Sequence, residues 1–286
     1  MRRTITLLIP LALLALLPLA SCDDGRMNAA EFRDRARQTA DRWRGSSADR
    51  AWREGFVPLR PLEVDRRQMP DWAIVSAMNG AWELATGLPA ASPSPARLRW
   101  PDGSTLTVGL ITAATAYAQL SMPDEVPDAD CPAAGCRPLR VTAVELGRTP
   151  VPTSRGMVDV PAWRFTVADV PARVSVLAVD PAAITPRPTP EDGLEEVTSF
   201  KTAAGDPRRM RLHYGHGQCD TVHGAHVYES AEVVVVDVDT ESSGGMCTAM
   251  LVLGEITAIL DEPVGDRIVL DAESGLPVLP AALAPR

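Results

Sequence analysis

An apolar run from Ile5 to Ala20, opened by Arg2 and Arg3, decides which part of this chain builds a fold and in what surroundings it does so. A charged start, a short apolar core and small residues before a cut site are the marks of a secretory signal peptide. A permanent membrane-spanning helix needs about 20 apolar residues, and this run is shorter and is interrupted by Pro10 and Pro18. Residues 1–21 are therefore expected to be removed, and the remaining chain to fold outside the cytoplasm. Cysteines in such an oxidising compartment are expected to pair rather than stay as free thiols.

The residues at the cut, Leu19-Ala20-Ser21-Cys22, narrow this further. They resemble the lipobox of bacterial lipoproteins. The resemblance implies that the Cys22 thiol receives a diacylglycerol carrying acyl chains such as palmitate, and that cleavage then leaves Cys22 as the first residue. Two or three acyl chains hold a protein firmly, at roughly 0.8 kcal/mol per buried methylene. The expected location is the extracytoplasmic face of the cell membrane, with membrane lipid as the partner of Cys22. A soluble product cut at Ala20 or Ser21 by ordinary signal peptidase is the alternative.

Removing 21 residues from 286 leaves 265, enough for one large or two small domains. Loss of Arg2 and Arg3 takes the basic count from 28 to 26 against 37 acidic residues, a net charge of −11. Nucleic acid is not expected as a partner, because phosphate contacts need a basic face. The charge is uneven. Residues 26–60 hold nine Arg against five acids, and residues 191–286 hold seventeen acids against six Lys or Arg. The basic stretch would be drawn to an anionic membrane surface.

With Cys22 lipidated, Cys131, Cys136, Cys219 and Cys247 remain as an even set. Three pairings are possible. The simplest keeps each bridge within its own region, Cys131 with Cys136 and Cys219 with Cys247. A metal site made from all four lacks the CxxC pairs usual for zinc.

Asn28 and Glu31 have the spacing of a capping box, and Ala29, Phe32, Ala36, Ala40 and Trp43 recur at helical spacing up to Gly45. Strands are expected at 81–88, 97–100 and 105–110, with a Pro101-Asp102-Gly103 turn, followed by a helix over 113–120. A meander follows: 139–146, 158–167 and 174–179. Four prolines between Pro181 and Gly193 read as an extended linker. Beyond it, strands are expected at 197–202, 209–214, 226–238, 249–260 and 267–271. The fold class is α+β and mostly antiparallel β, with an N-terminal helix, a mixed α/β-hairpin domain and a small disulfide-linked β module. The expected divisions are a signal peptide over 1–21, lipidated Cys22 and basic amphipathic helix over 22–53, an α+β domain over 54–180, the linker over 181–193 and an antiparallel β module over 194–278.

Two phrases carry a second resemblance. Thr153-Ser154-Arg155-Gly156 through Val160-Pro161-Ala162-Trp163-Arg164-Phe165, and Leu260-Asp261-Glu262-Pro263-Val264-Gly265-Asp266-Arg267, resemble recurring segments of uncharacterised exported lipoproteins of actinobacteria. The likeness spans residues 131–278. It implies an envelope protein and carries no catalytic residue with it.

The clearest cluster of reactive side chains is His213, His216, His223 and His226, all within fourteen residues. Imidazoles are common ligands of copper and zinc. Gly215, Gly217 and Gly224 make the stretch read as a loose exposed loop, in which histidines need no metal. Asp237, Asp239 and Glu241 alternate, but Ser242 and Thr248 stand where a calcium loop wants Gly and Glu. They read as a solvated strand edge that keeps Val233 to Val236 from pairing with another chain. Asp261, Glu262, Asp266 and Arg267 read as an ion-paired turn. There is no GxSxG elbow, Ser-Lys motif, phosphate loop or dinucleotide fingerprint. The expectation is a non-enzymatic interaction or accessory protein of the cell envelope, with no cofactor and an unidentified envelope protein as partner. Copper or zinc binding through the histidine stretch is the alternative.

Overall fold

The computed structural model describes residues 28–60, 69–125, 127, 129, 131–189, 197–243, 247, 248 and 250–284. Cys22 and the signal segment lie outside the described residues. Four helices run along the chain: α1 (Ala29–Trp43), α2 (Ser47–Glu54), α3 (Asp71–Met78) and α4 (Ala113–Leu120). The strands are β1 (Trp82–Leu84), β2 (Ala96–Arg99), β3 (Thr105–Val108), β4 (Leu139–Thr153), β5 (Gly156–Val167) and β6 (Val174–Leu177), then β7 (Val197–Ala203), β8 (Asp206–Gly217), β9 (Asp220–Glu229), β10 (Val233–Ser242), β11 (Leu251–Ile259), β12 (Ile268–Asp271) and β13 (Leu279–Pro280). The fold is α+β with mostly antiparallel sheets.

In the first half the sheet order is β1-β4-β5-β6, with β2 and β3 as a separate hairpin. The long β4–β5 hairpin outruns its neighbours. Its inner half packs with α3 and α4 around Leu139, Val141, Trp163 and Phe165. Its tip packs with the β2–β3 hairpin around Leu98, Trp100, Val151, Val158 and Val160. The 81–88 strand is shorter than expected, only Trp82–Leu84, and α2 and α3 occupy stretches where no element is expected.

The second half is a sandwich of two sheets, β11-β8-β7-β13 and β12-β10-β9. It is not purely antiparallel as expected, because β12 runs parallel to β10 and β13 parallel to β7. The module also extends past residue 278, since Leu279 pairs with Ser199. The stretch expected as one strand over 226–238 is two, with the chain turning at Ser230 and returning as β10. Of the linker, Pro181–Ala183 forms a 3-10 turn, and Thr185 donates its N–H to the Phe56 carbonyl at 2.9 Å. Residues 190–193 lie outside the described residues.

β10 is the middle strand of its sheet and is buried on both faces. Val234, Val236 and Val238 point into the core between the sheets. Val233 and Val235 point the other way, into a cluster with Phe32, Ala36, Ala40 and Trp43 of α1. Helix α1 thus forms a third layer. Its capping box is in place, with Asn28 Oδ1 accepting from the Ala30 and Glu31 N–H groups and Glu31 Oε2 from Asn28 N–H. Leu270, Ala272 and Leu279 complete this cluster together with Trp52, Val57 and Leu59, so the apolar side of the N-terminal segment closes on the C-terminal strands.

Candidate interaction site

The histidine stretch is a pair of strands, not a loose loop. His213 and His216 lie in β8, and His223 and His226 in β9. Although consecutive, β8 and β9 belong to opposite sheets of the sandwich, so the turn at Gln218 and Cys219 carries the chain from one layer to the other. Each imidazole then finds its own local partner. His213 Nδ1 shares a hydrogen bond with Ser199 Oγ at 2.8 Å, and its Nε2 lies 3.1 Å from Glu255. His216 Nδ1 bonds the Gly217 carbonyl at 2.8 Å. His223 Nε2 lies 2.9 Å from Glu241. His226 stacks on Phe32 at 4.9 Å and lies 3.3 Å from Asp237. Among the described residues no three His, Cys, Asp or Glu side chains are grouped to hold a metal ion.

The Ser199-His213-Glu255 line crosses three adjacent strands, and no local sequence signal joins these residues. It has the polar order of a hydrolytic triad. Ser199, however, is only 5% exposed, which keeps its oxygen from a substrate. The line reads instead as a cross-strand ladder that holds the outer face of the sheet.

Cys219 pairs with Cys247, and Cys131 with Cys136. The first bridge pins the layer-crossing turn after β8 to the segment that returns from β10 toward β11. The carboxylates of β10 are not at a solvated edge as expected: Asp237 and Asp239 are buried, because β10 is central and α1 lies over the face they share with Val233 and Val235. Burial raises the Asp237 carboxyl above its ordinary value against the pull of His226, and burial likewise raises Asp271 despite its bonds from Ser274 and Val197. The turn before β12 also departs from expectation. Arg267 pairs with Glu229 at 2.8 Å and donates to the Glu262 and Pro263 carbonyls, rather than pairing with the acids of its own turn. Burial opposes ionisation of Glu229, but the Asp261 N–H and Arg267 outweigh it and lower the carboxyl.

Two surfaces stand out among the described residues. One is a cavity of about 450 Å³ between the β2–β3 hairpin and the β4–β5 tip, lined by Arg99, Trp100, Arg148, Pro150 and Met157. The other is β11. This strand ends its sheet, and its register with β8 runs unbroken from Leu251 to Ile259. Its outward side chains include Leu251, Leu253 and Ile259, which are 70%, 76% and 63% exposed, beside Met250. Leu251 lies flat over Gly215, where a Cβ would sit 2.9 Å from its Cδ1. The edge has no proline, lysine or bulge, and Glu255 is its one charged side chain.

Comparison with protein-family models, with curated proteins and with solved structures gives no match.

Proposed function

We propose that this chain is a lipid-anchored, extracytoplasmic binding protein of the cell envelope, held by acyl chains on Cys22 and acting through its C-terminal sandwich without catalysis. The observation that carries the reading is the row of exposed aliphatic side chains on the edge strand β11, since a regular edge with exposed Leu251, Leu253 and Ile259 is suited to pairing with another polypeptide. The two disulfides agree with an oxidising compartment, and the lipobox-like Leu19 to Cys22 supplies the anchor.

The test has two arms. Detergent-phase partitioning of the full chain is expected for wild type and lost in Cys22→Ser; partitioning unchanged in the variant removes the anchor. A photo-crosslinking residue at position 253 is expected to give protein adducts in intact membranes, while one at the exposed position 157 on the other half does not. Absence of adducts from 253 removes the binding role.

A further inference from the structure

The backbone of β11 states which of its groups are available. Gln218 donates its N–H to the Met250 carbonyl, and Leu260 donates to the Arg208 carbonyl. Both are directly opposed pairs of the β8–β11 ladder continued by one residue at either end. In an antiparallel ladder, hydrogen-bonded pairs alternate with non-bonded ones. The even-numbered residues of β11 therefore spend their N–H and C=O groups on β8. The odd-numbered ones, Leu251, Leu253, Glu255, Thr257 and Ile259, aim theirs at the edge, and no further strand pairs there among the described residues.

We infer that β11 binds a second copy of this chain, edge to edge and antiparallel about a two-fold axis at Ile256, so that the two sheets become one. A two-fold contact uses the same surface on both partners and must be self-complementary. Only registers that set odd residues opposite odd residues let both free ladders bond. An axis at Glu255 would set Glu255 against its own copy, a like-charge pair that opposes association. An axis at Gly254 would set Leu253 against Glu255. With the axis at Ile256, Leu253 meets Ile259 of the second copy, and Glu255 meets Thr257, each pair occurring twice. Leu253 and Ile259 then face each other, the two Glu255 carboxylates stand apart, and Leu251 comes opposite Asp261 at the end of the strand. On the inner face the same axis sets Gly254 against Ala258, two small residues. The complementarity lies within the strand itself, which favours a second copy over an unrelated chain.

This inference rests on β11 being a binding edge, and the experiment separates the two claims. Sedimentation equilibrium of the detergent-solubilised full chain is expected to give a dimer. Leu253→Lys should weaken it, by setting two ammonium groups against Ile259. Thr257→Lys should tighten it about tenfold, through two new pairs with Glu255, and Thr257→Glu should loosen it by about as much. Position 257 is exposed and lies opposite Arg211 of β8, and unchanged far-ultraviolet circular dichroism checks that the fold accepts either charge there. A monomer at all concentrations overturns the second copy, as does an equal response to Lys and Glu at 257. A monomer whose crosslinks from position 253 run to a different protein overturns it too, while leaving the wider binding reading in place.

Discussion

A Cβ at position 254 would sit 2.6 Å from Tyr214 Cζ and 2.7 Å from its hydroxyl, so the tyrosine ring lies on bare backbone. Gly254→Ala is expected to lower stability by about 1–3 kcal/mol, the usual cost of overfilling a packed site, measured by urea denaturation; an unchanged midpoint would show that Tyr214 swings away freely. Asp237 acts through charge rather than volume. Burial raises its carboxyl above the ordinary value, so the protonated form is the one the fold prefers. Its favourable contribution is complete below the ordinary carboxylate range and is lost as pH rises through the raised value. Asp237→Asn keeps an acceptor for the His226 ring and has no proton to lose. Its stability relative to wild type should therefore climb as pH rises from the ordinary carboxylate range through the raised value of Asp237. Chemical denaturation across that range checks this, and a difference independent of pH would mean that the carboxyl is solvated.

The elements readable from sequence were those whose signals are local. Asn28 and Glu31 announce α1, and the apolar faces Phe32, Ala36, Ala40 and Trp43 follow at its period; α4 follows the same logic over Ala113–Leu120. Helices α2 and α3 are as short as α4, eight residues each, but α2 buries only Asp49 and Trp52 and α3 is apolar nearly all round, so neither shows an apolar stripe at helical period. The histidine stretch misled because one of its glycines serves close packing: Gly215 lets Leu251 lie flat, a demand made by a strand distant in sequence. Asp237 misled for a related reason, since the helix that covers it comes two hundred residues earlier, on the order of a whole domain. The pairing of cysteines was readable, because few cysteines leave few pairings, but what Cys219–Cys247 ties was not. It links a layer-crossing turn to the approach of β11. Replacing both with Ser should cost about 3 kcal/mol on the chain-entropy estimate for a loop of this size, measured by thermal melting of the oxidised protein against the variant. Equal melting temperatures would show that the turn is fixed by the strands alone.

At the scale of the whole molecule, the two ends of the chain share one core. Phe32 and Trp43 are 2% and 4% exposed against Val233, Val235 and Leu270, while Trp52, Val57 and Leu59 join the same cluster and Phe56 enters the one at the β4–β5 tip. Phe32→Ala is therefore expected to destabilise by about 3–5 kcal/mol and to raise the proteolytic susceptibility of β9 and β10, not only of α1. Limited proteolysis with mapped fragments checks this, and cuts confined to residues before Gly45 would mean that the helix is a removable cover. The same arrangement imposes an order in time. Chains are made from the N-terminus at about 5–20 residues per second, so Phe32 and Trp43 wait some 10–40 s, on that rate, before Val233 and Val235 have been synthesised. Through that interval the apolar side of α1 has only Trp52, Val57 and Leu59 of its cluster beside it, and the strands that cover the rest are missing. The last strands to arrive release the first helix from that wait.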